Sequence, residues 1–499
     1  MDRPRALPHS KRFFVDGSEL TITIIMQTKT RIGFFSTGLN TYWDQFEGLL
    51  ANLERYSASI VSRIRESGDV EVVDLGMVDS PQKASEAALR VKASGVDLLF
   101  AYISTYCLSS TILPVAKEAA CPVILLNVQP SSAIDYKKIN SLGDRGKMTG
   151  LWLENCQACA IPEAASVLGR AGVRYDILTG HLDDEETWKG ISAWVEAAKV
   201  FRGLRCNRLG LLGHYYCGML DVYTDLKMVP ATFGSHVELL EMDELASIRE
   251  KVTGEEIQAK VEEFRERFEV SGACSDYELE RAARTSVALD ALVEAHDLGS
   301  MAYYYEGTAG SVHEDIVTSV IAGNTLLTGR GIPVAGEYEV KNALAMKIMS
   351  LLGAGGSFSE FYAMDFDDDV ILLGHDGPAH YMMSEGKVGL VPLPVYHGKP
   401  GKGLSIQMTV RQSDVTLLSV CEGKDGMFLL AAEGETVPGE VLEIGNTNSR
   451  YRFPCGMESF FDQWCKAGPS HHCAVGIGHL APKLRKLAFL LGISLVEVR

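Results

Sequence analysis

The sequence predicts an α/β protein: two successive doubly wound αβ domains followed by a mostly antiparallel, β-barrel-like domain. Three observations predict it. From residue 30 to about 203, short runs rich in β-branched residues alternate with longer amphipathic ones, the pattern of a parallel sheet with crossover helices. The same alternation starts afresh from 204 to 357. After Phe358 short apolar runs follow one another closely, divided by Gly, Pro and Asp turns. A chain of 499 residues exceeds one ordinary core, so several domains are expected. We place them at 30–203, 204–357 and 358–499, behind a poorly ordered leader at 1–29.

The leader holds Arg3, Arg5, Lys11 and Arg12 ahead of an apolar run at 20–25, an order superficially like a signal peptide. Asp16 and Glu19 interrupt the approach and no Ala-x-Ala cleavage site follows. An initiation at Met26 is the other reading of this end. In the first domain, 32–35, 70–75, 96–102 and 123–126 read as strands, with helices over 43–66, 81–93 and 113–120. A strand at 175–179 leads to Asp183 and Asp184, either of which suits the cap of an acid-rich helix running to Ala198. The second domain shows strands at 208–212, 237–240 and 300–305 and helices at 243–265, 276–296 and 339–352. In the third, strands at 370–373, 388–392, 404–410, 415–421 and 427–430 precede a closing helix at 480–491. No internal repeat or low-complexity segment is visible.

Composition narrows the function. Hydrophobic residues make up 46% and charged residues 22%, a globular balance. The 47 Lys+Arg against 65 Asp+Glu leave −18, which argues against nucleic acid or an anionic membrane as main partner. No apolar stretch approaches the length of a membrane span. Of the 11 cysteines only Cys156 and Cys159 are closely spaced, and no second such pair completes a zinc ribbon. Buried thiols in a reducing cytoplasm are the reading that follows.

Four residues carry the chemistry. Glu337 lies in Ala335-Gly336-Glu337, Glu360 in Ser357-Phe358-Ser359-Glu360, His375 in Leu373-Gly374-His375, and His472 in Ser470-His471-His472. Two carboxylates and two imidazoles suit a divalent transition ion such as Mn²⁺, Zn²⁺, Fe²⁺ or Co²⁺. A carboxylate amid Phe358, Phe361 and Tyr362 is costly without a partner. Taken singly, Glu337 reads as a first-turn helix acid and His375 as an ordinary loop histidine.

The spacing and flanking words of these four resemble the L-arabinose isomerase family and its relatives, the L-fucose isomerases. The segment Gly180-His181-Leu182-Asp183 with Trp188 and Trp194, the helix entry Gly336-Glu337 with Lys341 and Ala343, and the loop at 397–401 extend the resemblance along most of the chain from Thr30. It implies a metal-dependent aldose–ketose isomerase acting on an open-chain pentose or 6-deoxyhexose through an enediol. Glu337 and Glu360 would be the catalytic pair, and Glu337, Glu360, His375 and His472 the ligands of one divalent cation, Mn²⁺ first among them. It also implies a homo-oligomer with its active site at a subunit junction, to which Gln129 would contribute, in a cytoplasmic enzyme.

The sugar-reading words differ from those of arabinose isomerases proper. The segment Thr37 to Trp43 and the run Asp376-Gly377-Pro378-Ala379-His380 depart from the family pattern, and Gly213 to Met219 is nearer to the fucose isomerase side. Asn40, Tyr42, Gln129, His214, His380 and His471 are therefore the candidate sugar contacts. Two other readings stay open: an epimerase or aldolase using the same centre, and a non-catalytic sugar-binding protein.

Overall fold

The structure, a computed structural model, describes residues 29–394 and 401–499 together with two strands further upstream. Those strands, β1 (Lys11–Val15) and β2 (Ser18–Ile22), pair antiparallel. The rest of the leader expected at 1–29 lies outside the described residues, as does most of the 397–401 loop. The chain divides into two compact units, one of Thr28–Arg202 and one that holds Gly203–Arg499.

The first unit is a five-stranded parallel sheet of β3 (Thr30–Thr37), β4 (Val70–Val78), β5 (Leu98–Tyr102), β6 (Val123–Gln129) and β7 (Tyr175–His181), in the order β4-β3-β5-β6-β7. Every residue of β5 is buried, as a central strand covered on both faces requires. The strand order is that of a doubly wound sheet.

The second unit opens on a similar layer. Its parallel strands β8 (Arg208–Gly213), β9 (His236–Leu240), β11 (Ser300–Tyr304) and β12 (Val334–Ala335) run in the order β12-β11-β8-β9. A small sheet joins β10 (Glu269–Val270) to β15 (Gly389–Leu393) and β16 (Gly403–Gln407). The barrel follows: β13 (Gly355–Asp365), β14 (Val370–His375), β17 (Asp414–Gly423), β18 (Gly426–Val437), β19 (Thr447–Arg452) and β20 (His472–Ile477). Their order is β17-β20-β13-β14-β19-β18, and the β17–β18 pairing closes the ring, so no edge strand is left among the six. A last strand, β21 (Leu495–Val498), lies parallel on β18. One apolar core runs from Leu212 and Leu289 to Leu417, Trp464 and Val475.

The helix Val340–Leu351 joins the two layers. Its residues are buried from Val340 to Met349, apolar ones for the most part, with the buried Lys341 and Lys347 each donating to backbone carbonyls, of Asp221 and Gly331. It packs on β11 and β12 on one side and on β13, β17 and β20 on the other. Its end is sharp: Gly353, Gly355 and Gly356 all have positive φ, and a Cβ on Gly356 would meet the Met346 carbonyl at 2.7 Å.

The architecture is the one expected, with local differences. The helix expected at 43–66 begins at Leu49, after a short 3₁₀ turn at Asn40–Tyr42. That expected at 243–265 is two, Met242–Glu250 and Gly254–Arg267, because Thr253 and Glu256 form a reciprocal capping box. A helix at Met457–Ala467 interrupts the barrel where only strands were expected.

Candidate active site

Three adjacent barrel strands and one loop supply the four residues. Glu360 in β13 stands directly opposite His472, the first residue of β20, and on its other side opposite Gly374, the neighbour of His375. Glu360 lies within β13 and His472 at the start of β20. Glu337 comes from outside the barrel, in the turn between β12 and the helix Val340–Leu351. It and Tyr338 both adopt left-handed φ, +56° and +57°. Two successive non-glycine residues there store strain, which hydrogen bonds from Tyr338 N–H to Tyr303 O (2.9 Å) and Glu339 N–H to Gly336 O (3.0 Å) hold in place.

The four side chains fall, with His471, into two overlapping groups of three. His375 Nε2 lies 4.0 Å from Glu337 Oε1 and 3.9 Å from Glu360 Oε1, and His472 Nε2 lies 3.5 Å from Glu337 Oε2. One donor atom each of Glu337, His375 and His472 falls within 4.8 Å of the others, and the same holds for Glu360, His471 and His472. Among the described residues no other three His, Cys, Asp or Glu side chains converge in this way. Phe358 floors the cluster, its ring 4.5 Å from that of His375 and 4.4 Å from that of His472.

The set fits a divalent cation by the chemistry of its donors and by what they lack. His472 is fully buried with neither ring nitrogen hydrogen-bonded, and Glu337 Oε2 also has no hydrogen-bond partner. Buried polar atoms left so are costly unless something binds them. His375 is different: Gly377 N–H donates to its Nδ1 at 2.9 Å, so the neutral ring carries its proton on Nε2, facing the carboxylates. Taking a cation through that Nε2 requires this hydrogen bond to break.

Electrostatics separates the two acids. Burial alone would raise the Glu337 carboxyl, but its contact with His471 and the nearby His472 and His375 outweigh it and hold it at about 2. Glu360 moves the other way, raised chiefly by burial, with Glu337 adding to the effect. His471 bridges acids on both sides. Its Nδ1 lies 2.6 Å from Asp221 Oδ2 and its Nε2 3.5 Å from Glu337 Oε2. Burial opposes its charge, yet these two carboxylates push it up to about 9. Beside it opens a cavity of about 510 Å³ lined by Asp221, Thr224, Lys341, Glu422 and Ser470 among others.

The remaining candidates are dispersed. Asn40, Tyr42 and Gln129 belong to the first unit. Asn40 is exposed, Tyr42 packs edge-on against Phe46 at 5.7 Å, and the Gln129 amide donates to Ser131 O at 2.8 Å. His214 ends up exposed after β8, its ring against Tyr304 and Tyr305 at 5.5 and 5.3 Å. Tyr304 in turn feels the charge of Glu337. His380 is no surface histidine: it is buried, which pulls it down to about 4, and its Nδ1 has no hydrogen-bond partner. Sequence reasoning missed Asp221 and Glu339, which touch this cluster, and named Lys341 only as part of the helix entry.

No protein-family model matches the chain. Curated relatives do. It is 21% identical to the L-arabinose isomerase of Saccharophagus degradans over 64% of the chain, a match spanning 66% of that relative, just under two thirds. Against the L-arabinose isomerase of Shouchella clausii it is 20% identical over 93% of the chain and 94% of the relative. The chain is similar to these curated L-arabinose isomerases. A third such protein, the L-arabinose isomerase of Nocardioides sp., is 22% identical over 76% of this chain and 75% of its own length. All eleven cysteines are free, Cys156 buried and Cys159 exposed. Among the described residues no helix is long and apolar enough to cross a membrane.

Proposed function

We propose that this chain is a metal-dependent aldose–ketose isomerase acting on an open-chain pentose or 6-deoxyhexose. The observation that carries the reading is the fully buried His472, with two unpartnered ring nitrogens, set against Glu337 among converging carboxylates and imidazoles. Glu337, Glu360, His375 and His472 would hold one divalent cation, Mn²⁺ in first place. When bound, such an ion polarises the sugar carbonyl and holds the neighbouring hydroxyl.

The chain's own residues would move the protons. Isomerisation takes a proton from C2, returns one to C1, and shifts a hydroxyl proton from O2 to O1. That needs one ionised carboxylate and one protonated carboxyl side by side. The opposed shifts of the two acids support this division, with Glu337 as the base that takes the C2 proton and Glu360 as the acid at the carbonyl oxygen. Phe358 covers one side of the imidazoles and excludes water there. We further propose a cytoplasmic homo-oligomer in which a neighbouring subunit's first unit completes the sugar site.

The test is product analysis. Purified protein with Mn²⁺ is offered pentoses and 6-deoxyhexoses in D₂O, and products are identified by NMR. A ketose carrying solvent deuterium at C1 is the expected result, with Glu337→Gln and Glu360→Gln each losing activity by orders of magnitude while remaining folded. An epimer, or cleavage into two shorter fragments, would replace the isomerase reading with one of the alternatives. With C2-deuterated sugar in H₂O, full transfer of the label to C1 would replace the enediol route with a hydride shift.

A further inference from the structure

Behind the candidate cation site lies a further carboxylate, beyond Glu337 and Glu360, to which the proposed reaction gives no role. Glu339 is fully buried, at 0% exposure. Its two oxygens have different surroundings. Oε1 lies 3.6 Å from Lys341 Nζ and 3.5 Å from Ser470 Oγ. Oε2 has no hydrogen-bond partner and sits 3.7 Å from His472 Nδ1, the nitrogen on the far side of the ring from Glu337. Lys341 is itself fixed, donating to Asp221 O at 2.8 Å and Thr224 Oγ1 at 2.9 Å. The carboxylate is thus anchored by one oxygen and offers the other to the imidazole.

We propose that Glu339 is the positioning residue of His472: it accepts the Nδ1 proton, fixes that tautomer, and leaves the Nε2 lone pair aimed at the cation position. The inference rests on the proposed cation site and adds what orients one of its ligands. The physical reason is that a neutral imidazole has a single N–H. Whichever nitrogen donates it leaves the other as the metal donor. A buried carboxylate accepts and cannot donate when ionised, so it selects Nδ1–H. The same oxygen would otherwise be an unpaired buried acceptor, a costly arrangement with no other use in the fold. Closing 3.7 Å to hydrogen-bond length takes a shift of less than an ångström. His375 shows the contrast, since the backbone N–H of Gly377 selects the opposite tautomer there.

The experiment reads the tautomer and the metal separately. Full-length protein with ¹⁵N-labelled histidine is prepared as wild type, Glu339→Gln, Glu339→Ala and Glu339→Ala with Lys341→Met, the last removing the lysine charge that Ala would leave unpaired. The His472 resonances are assigned by their loss in His472→Gln. In chelator, wild type should show Nδ1–H at His472. Glu339→Gln should keep it, since its amide oxygen still accepts, whereas both Ala variants should move the proton towards Nε2. Calorimetric titration should then show Mn²⁺ binding weakened by about 10–100-fold in the Ala variants and less in Gln. A wild-type Nε2–H, or an unchanged tautomer in both Ala variants, overturns the proposal. If wild type shows Nδ1–H that the Ala variants lose, yet binds no Mn²⁺, the cation reading falls and the role of Glu339 in fixing His472 stands.

Discussion

His471 and His472 are adjacent in sequence and opposite in behaviour. One is a charged bridge between Asp221 and Glu337; the other is a fully buried ring with no hydrogen bond. The bridge makes stability depend on pH in a defined direction. His471 is raised from about 6.5 in the unfolded chain to about 9, so its contribution is complete below about pH 6.5 and is lost as pH rises through 9. Glu337, lowered to about 2, contributes above about pH 4.3 and loses that contribution as pH falls towards 2. The two shifts describe one contact and do not add. Melting temperatures in chelator should therefore fall between pH 6.5 and 9 in wild type, and His471→Asn should flatten that limb. An unchanged profile in the variant would remove the bridge from the account. Glu337, Glu360, His375 and His472 were candidates in the sequence through their ligand types together with the family resemblance, since Glu337 and His375 look ordinary singly. Glu339 and Asp221 were not, because an acid ahead of a helix or in a polar loop is ordinary, and only the fold sets them against a histidine.

At the scale of elements, the register of β13 against β20 places Glu360 opposite His472, and a slip of β13 by one residue would turn Glu360 to the other face, away from His472. The glycines that open β13 let it pass close against the helix Val340–Leu351. Gly356, at φ +109° and with no room for a Cβ beside Met346 O, is the point of closest approach. Gly356→Ala should lower stability by about 1–3 kcal/mol and weaken Mn²⁺ binding, measured by calorimetry on the same samples. A stable variant with unaltered affinity would show that this junction does not hold the site. The apolar strands β14 and β17 were readable from their runs of buried residues. β19, Thr-Asn-Ser-Arg-Tyr-Arg, was not, because its place in a closed ring, rather than its own hydrophobicity, makes it a strand. The capping box at Thr253 and Glu256 was written in the sequence and is what splits the long helix expected there.

Across the whole molecule, the order of αβ layers and barrel was legible because buried parallel strands and short antiparallel ones leave different periodicities. The candidate sugar contacts were less so, since Asn40, Tyr42 and Gln129 lie in one unit and the ionisable cluster in the other. If a neighbouring subunit supplies the former, mixing inactive Glu337→Gln with an inactive triple Ala variant at Asn40, Tyr42 and Gln129 should restore part of the activity. No recovery after subunit exchange would argue against a shared site. Single substitutions Asn40→Ala, Tyr42→Ala, His214→Ala and His380→Ala should change the ranking of kcat/KM among sugars while leaving Mn²⁺ affinity nearly unaltered. The barrel has one more consequence. Three of the four proposed ligands sit on neighbouring strands of a single hydrogen-bonded ring, whereas Glu337 arrives on a separate, strained turn. A cation held by all four would tie that turn, and the helix that follows it, to the ring. Release of the ion would then lower the barrier to local opening of that turn before the ring itself loosens, so the slowest-exchanging amides and the metal's residence time would be governed by different parts of one unit.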